Sequence, residues 1–304
     1  MPAFEPRGIM TALVTPFHPD GSINWEVQAD LIEYQVSAGV TGLAVTAGSG
    51  EYVNLTPDER AEVVRRAATA LRGRAALVAG ILAPDTGGAI SASLAARAGG
   101  AQALLVSTPY YISPSLPGLV AHFRDVAEAV ELPIILYNNP GRTGINLDLP
   151  VLERLVEVPG VVAIKECDRD LGRVAVKLMH LGERLTFLSG DDDLCLQIWS
   201  IGAQGAIMAS SNLAAGWAVA ACTAAQEGDW DRAREIFYSR LLPLISLYKG
   251  PDHPGPLKQL LGLAGFPVGA GRSPLQPLSD ERLVELAQRL QELRLVEHAG
   301  AGRA

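Results

Sequence analysis

The sequence predicts an α/β fold, a (β/α)8 TIM barrel with a C-terminal helical appendage, on three observations. Eight short apolar β-type runs alternate with longer helical patterns, and strand followed by helix at each step implies a parallel sheet. Most of the runs are continuously apolar rather than alternating, as when both faces of a strand are buried. The eight units occupy residues 8 to about 228, close to the roughly 250 residues of such a barrel.

The strand runs are, in order, Ile9–Phe17, Gly42–Ala47, Ala75–Leu82, Ala101–Thr108, Leu132–Tyr137, Val161–Lys165, Leu185–Ser189 and Gly205–Ala209. Between them, Thr56-Pro57-Asp58-Glu59 supplies an N-cap, a proline at the first helical position and a capping Glu at the third. Gly39, Gly73, Gly99, Gly160, Gly182 and Gly202 stand where helices should end. Residues 1–228 are thus read as the barrel and 229–304 as a helical region. That region holds helical patterns over Trp230–Leu247, Pro256–Ala264 and Asp280–Leu293, with a frayed tail after Glu297. The competing fold is an open doubly wound sheet, but no GxGxxG turn follows the first strand.

Hydrophobic residues form 48% of the 304 and charged residues 19%, enough for a large core and too apolar for disorder. The net charge of -8 argues against a nucleic-acid or acidic-membrane partner, which selects a basic face. It leaves a small anionic substrate open, since one local Arg or Lys outweighs the global sign. Cys167, Cys195 and Cys222 lack metal spacing and read as buried thiols of a reducing compartment. The N-terminus has neither the basic nor the apolar segment of a secretory signal, and no apolar run reaches the length of a membrane span. A cytoplasmic location is expected.

In such a barrel the chemistry sits at the C-terminal ends of the strands. Lys165 closes the apolar run Val161-Val162-Ala163-Ile164. A lysine facing a low-dielectric interior is expected to lose stability as an ammonium, and a neutral amine attacks ketones to form imines. Position alone equally fits a lysine snorkelling to solvent or pairing with Glu166, although adjacent strand residues face opposite sides. Tyr137 ends the preceding strand, where a phenol shuttles protons or simply packs in the core. Gly48-Ser49-Gly50-Glu51 reads as a carboxylate-holding loop or as an ordinary βα turn. Arg142, in Pro140-Gly141-Arg142-Thr143-Gly144, reads as a bidentate carboxylate binder or a surface arginine. Asp191-Asp192-Asp193 favours the start of a helix rather than a metal. His18, His122, His180 and His253 show no ligand spacing and receive no role.

Taken together, these strand ends resemble the dihydrodipicolinate synthase/N-acetylneuraminate lyase family of class I aldolases, closest to its synthase branch. The markers occur in order from about Gly8 to about Leu278: Thr15-Pro16-Phe17, Gly48-Ser49-Gly50-Glu51, Thr108-Pro109-Tyr110-Tyr111, Tyr137-Asn138-Asn139-Pro140-Gly141-Arg142-Thr143-Gly144, Ile164-Lys165-Glu166 and Ser189-Gly190-Asp191-Asp192. The resemblance implies that Lys165 forms an imine with pyruvate or another 2-keto acid and that Tyr137 moves protons around it. It implies that Ser49 and the Gly50 backbone hold the keto-acid carboxylate, that Ile207 packs near it, and that Arg142 binds the carboxylate of aspartate semialdehyde. Tyr111 matches a tyrosine that crosses a tight dimer interface into the neighbouring site, so a homodimer or homotetramer is expected. No metal or organic cofactor is called for, because the lysine imine is the electron sink.

One departure stands out. Gly48 occupies the place of a synthase threonine that links the two tyrosines in a proton relay, so the relay here needs a water or a substrate hydroxyl. Three readings follow. The first is a 4-hydroxy-tetrahydrodipicolinate synthase-like lyase. The second is an aldolase, dehydratase or deaminase acting on a longer hydroxylated 2-keto acid. The third, of another class, is a non-catalytic keto-acid-binding barrel, against which Lys165 and Tyr137 together argue.

Overall fold

A computed structural model describes residues 4–293, so the tail after Glu297 lies outside the described residues. Strands and helices alternate along the chain as β1 (Gly8–Ala12), α1 (Trp25–Ser37), β2 (Gly42–Val45), α2 (Pro57–Leu71), β3 (Ala76–Ile81), α3 (Thr86–Ala98), β4 (Ala103–Ser107), α4 (Leu116–Val130), β5 (Ile134–Asn138), α5 (Leu149–Leu155), β6 (Val161–Glu166), α6 (Leu171–Leu181), β7 (Thr186–Ser189), α7 (Cys195–Ser200), β8 (Gly205–Met208) and α8 (Ser211–Gln226). Each strand pairs in parallel with its successor, and β8 pairs with β1 to close the barrel.

The continuous apolar runs are explained by two separate cores. Residues such as Leu43, Leu104, Leu136 and Ile164 face outward against the helices. Met10, Ala44, Val78, Leu105, Ile135, Ala163 and Ile207 fill the barrel interior. Alternate residues of each strand therefore serve different layers, and neither face meets water. Local signals hold as well: Thr56 Oγ accepts from the Glu59 N–H at 3.2 Å while the Glu59 carboxylate accepts from the Thr56 N–H at 2.9 Å, a complete capping box at the start of α2.

The first strand is shorter than its apolar run suggests, ending at Ala12 rather than Phe17. Leu13, Val14 and Phe17 are buried all the same. Phe17 is covered by the C-terminal segment: its N–H donates to the Val268 carbonyl at 2.8 Å, and Lys258 Nζ lies 4.0 Å from its ring centroid. The Leu13 N–H donates to the Ala44 carbonyl at 3.0 Å and the Val14 N–H to Asn212 Oδ1 at 3.1 Å.

After the barrel come α9 (Trp230–Ile236), a π-helical turn (Phe237–Leu241), α10 (Leu242–Tyr248), α11 (Gly255–Leu263) and α12 (Asp280–Glu292). One buried ion pair clasps this region to the mouth of the barrel. Lys258 of α11 donates to Glu51 Oε1 at 2.9 Å, to the Thr15 carbonyl at 2.9 Å and to the Ala270 carbonyl at 3.0 Å. With three acceptors, the buried ammonium is fully hydrogen-bonded. Glu51 in turn accepts from the Arg272 N–H at 2.9 Å. The C-terminal helices are therefore more than an appendage: the chain between α10 and α11 forms part of the wall of the site.

Candidate active site

The strand register brings the two central residues together. Tyr137 of β5 is the direct partner of Lys165 of β6. Both lie on the inward-facing alternation, with Ile135 before Tyr137, and with Ala163 and Cys167 on either side of Lys165. Lys165 is 5% exposed, and its Nζ stands 4.6 Å from the centroid of the Tyr137 ring. Glu166 points the other way, as strand alternation requires, and pairs with Lys177 of α6 at 3.1 Å.

Room for the lysine depends on Gly190, just past β7. A Cβ there would lie 2.3 Å from Cys167 Sγ, 2.9 Å from Lys165 Cγ and 3.0 Å from Lys165 Cε. The Tyr137 hydroxyl accepts from Asn139 Nδ2 at 3.0 Å. Burial raises the Tyr137 pKa, with the Lys165 charge opposing it. For Lys165, burial disfavours the ammonium, but Tyr137, Cys167, Asp192 and Asp191 outweigh burial and the net direction is upward. This corrects the expectation of a lowered value: the ionisable phenol and thiol beside it and the two carboxylates favour the ammonium.

The loop after β2 forms the opposite wall. Ser49 is buried, and its Oγ lies 3.0 Å from His253 Nε2. Gly50 packs behind that wall, where a Cβ would meet Thr46 N at 2.9 Å and the Leu13 carbonyl at 3.1 Å. Its carbonyl accepts from Thr15 Oγ at 2.7 Å. Gly48 faces the phenol: a Cβ at this position would stand 3.9 Å from the Tyr137 hydroxyl.

Ile207 of β8 is buried among the interior residues and lines the floor. Arg142 sits on a short helical turn (Pro140–Thr143) at the rim, where its Nη2 approaches the Pro251 carbonyl at 3.5 Å. Lys165, Tyr137, Ser49, Arg142 and Ile207 thus share one cleft of about 810 Å³, within the range of small-molecule sites. Tyr111 does not join them. It is 99% exposed, with φ of 72°, on the loop after β4, and the neighbouring Tyr110 lines the cleft instead.

The acidic run Asp191–Asp193 starts a short 3-10 helix but makes no side-chain cap to it. Asp192 instead accepts from the Ala209 N–H at 3.2 Å and from the Tyr248 hydroxyl at 2.7 Å. Arg169 bonds Asp191 at 2.6 Å and Asp193 at 2.9 Å. These carboxylates tie β7 to the ends of β8 and α10 rather than capping their own helix. Among the described residues, no group of three or more His, Cys, Asp or Glu is disposed to hold a metal, and no helix is long and apolar enough to cross a membrane.

His253, to which no role was assigned from sequence, lines the cleft. Its ring lies 6.1 Å from that of Tyr248. Burial lowers its pKa, Asp192 opposes, and Arg142 and Lys165 reinforce the drop to about 4, so the ring is neutral near pH 7. It stands 204 positions from Ser49 in sequence, and no local pattern marks it.

Known proteins share this fold. The sequence profile of the Dihydrodipicolinate synthetase family matches residues 5–293. A 4-hydroxy-tetrahydrodipicolinate synthase from an Exiguobacterium species is 38% identical over 290 residues, covering 94% of this chain and 99% of the relative. One from Pseudomonas aeruginosa is 36% identical over 272 residues, covering 90% and 93%. Among solved structures, a dihydrodipicolinate synthase from Aquifex aeolicus superposes with a TM-score of 0.91 at 34% identity, covering 95% of this chain and 98% of that one. A chloride-inhibited dihydrodipicolinate synthase from Acinetobacter baumannii, complexed with pyruvate, gives 0.91 at 31% identity over 95% and 99%. With a profile match across nearly the whole described length and relatives well above 30% identity end to end, the chain belongs to the dihydrodipicolinate synthetase family.

Proposed function

We propose that the chain is a Schiff-base lyase of the 4-hydroxy-tetrahydrodipicolinate synthase type, condensing pyruvate with aspartate semialdehyde. The observation that carries the reading is the in-register pair Tyr137 and Lys165, buried on the inner face at the C-terminal mouth of the barrel. Lys165 Nζ attacks C2 of pyruvate, and loss of water leaves the imine. Because the lysine rests protonated, the attack is preceded by loss of one ammonium proton to solvent, and the neighbouring phenol of Tyr137, kept protonated by burial, passes protons among the oxygens of the adduct. Loss of a C3 proton gives the enamine, with the positive imine nitrogen as electron sink. C3 then bonds to the aldehyde carbon, and the new alkoxide takes a proton. Attack on the imine carbon by water or by the second substrate's amine returns the free lysine.

Ser49 and the backbone at Gly50 hold the keto-acid carboxylate in this scheme, Ile207 packs against the bound acid, and Arg142 at the rim takes the carboxylate of the second substrate. Tyr111, fully exposed here, serves the site of a second copy in a homodimer or a tetramer of dimers. A size measurement in solution, with Tyr111→Phe assayed beside it, tests this. A monomer as active as the assembly contradicts it.

Gly48 favours a second reading. It leaves the Tyr137 hydroxyl without a side-chain hydroxyl opposite, in space that a hydroxyl of a longer 2-keto acid fits. The chain would then be an aldolase, dehydratase or deaminase on such acids, with Arg142 on a distal carboxylate. Turnover of pyruvate plus aspartate semialdehyde against cleavage of hydroxylated 2-keto acids separates the two, and no activity on the first pair sinks the synthase reading.

A further inference from the structure

Ser49 is bound to a partner that the condensation chemistry does not itself require. Its hydroxyl carries one proton and two lone pairs, and a keto-acid carboxylate can only accept. For Ser49 to serve the carboxylate, its proton must point into the cleft. Whatever lies at 3.0 Å on its other side, His253 Nε2, then has to donate.

We infer that His253 is a positioning residue which donates its Nε2–H to Ser49 Oγ and so holds the serine proton toward the keto-acid carboxylate. This rests on the imine reading above. Two features of the site support it. The imidazole stands beside the ring of Tyr248, centroids 6.1 Å apart, and the Tyr248 hydroxyl is itself anchored on Asp192 at 2.7 Å. Being neutral near pH 7, the ring carries a single N–H, so its tautomer decides the direction of the bond. The opposite tautomer directs the Ser49 proton onto the ring and leaves a lone pair facing the carboxylate, which repels it. His253 therefore either assists keto-acid binding or opposes it, and the two cases have opposite signs.

The test measures how much Lys165 adduct is trapped by borohydride as pyruvate is varied, in the full-length protein. For His253→Leu the half-saturating pyruvate concentration should rise about tenfold, the scale of one lost hydrogen bond. The adduct at saturation should be unchanged. His253→Gln, whose amide nitrogen reaches the Nε2 position, should recover most of the loss, whereas the shorter His253→Asn should not. In a Ser49→Ala background, His253→Leu should add little further effect, because both act through one hydroxyl. A mere packing role predicts no difference between Gln and Asn and full additivity with Ser49→Ala. Half-saturation that is unchanged or lower in His253→Leu overturns the inference. If His253→Leu does not fold, the Gln and Asn variants decide alone. No adduct in the unaltered protein overturns the imine reading and this inference with it, whereas an adduct there with indifferent His253 variants overturns only the inference.

Discussion

Gly190→Ala tests how the lysine is accommodated. The added Cβ would fall 2.3 Å from Cys167 Sγ and 2.9 and 3.0 Å from Lys165 Cγ and Cε, against a favourable carbon contact of about 3.5–4.0 Å. Something must move by about an ångström. The thiol can turn aside, but relief from the lysine carbons requires the reacting amine itself to shift. Overpacking of this kind costs roughly 1–3 kcal/mol of stability. A reacting group displaced by about 1 Å costs on the order of 10²-fold in rate. The assay pairs thermal unfolding with the rate of borohydride-trapped adduct formation on Lys165. Cys167→Ala added to Gly190→Ala removes the shortest contact and leaves the two lysine contacts. The double variant should regain stability and remain slow. Near-normal trapping by Gly190→Ala, or recovery of rate in the double variant, would refute the claim that this glycine exists to seat the lysine.

Tyr137→Phe should still form the imine but turn over on the order of 10²-fold or more slowly, because the ring keeps its packing and loses only the proton carrier; steady-state rates check this, and wild-type turnover contradicts it. Gly48→Thr should restore a hydroxyl beside Tyr137 and raise condensation of pyruvate with aspartate semialdehyde about tenfold or more, while no gain would favour substrates that bring their own hydroxyl. Glu59 is held down to about 2 from 4.5, chiefly by hydrogen bonds from Arg272. Its folded pKa is depressed, so its contribution is present above the unfolded value of 4.5 and lost as pH falls toward about 2. After solvent screening this amounts to about 1 kcal/mol. Glu59→Gln should therefore lower the melting temperature at pH 7 and have little effect near pH 2, which pH-dependent thermal unfolding reads out.

The barrel was legible in the sequence because a parallel strand buried on both faces leaves an uninterrupted apolar run, and eight such runs fit few alternatives. The same rule overreached at β1. Leu13, Val14 and Phe17 look like strand because they are buried, yet Phe17 is covered by the segment around Val268 and Lys258 and the Val14 N–H bonds Asn212 of α8, contacts that periodicity near Phe17 cannot register. Lys165 and Tyr137 were visible as polar ends of apolar strands, and their contact follows from register. The direction of the Lys165 pKa was not visible, since it depends on Cys167, Asp191 and Asp192 as much as on burial. Nor was His253, because contacts between distant elements, among them Lys258 with Glu51 and Tyr248 with Asp192, bring the loop between α10 and α11 over the mouth. The acidic run after β7 misled for a related reason: its partners, Arg169, Tyr248 and the N–H of Ala209, come from other elements.

The most direct test of the imine chemistry is borohydride reduction of the protein with pyruvate, read by intact and peptide mass spectrometry beside Lys165→Ala. A reduced adduct confined to the peptide carrying Lys165, and lost together with all turnover in Lys165→Ala, is the expected result. Absence of an adduct in folded protein, or unchanged turnover in Lys165→Ala, would contradict it and return the chain to a barrel that binds keto acids without transforming them.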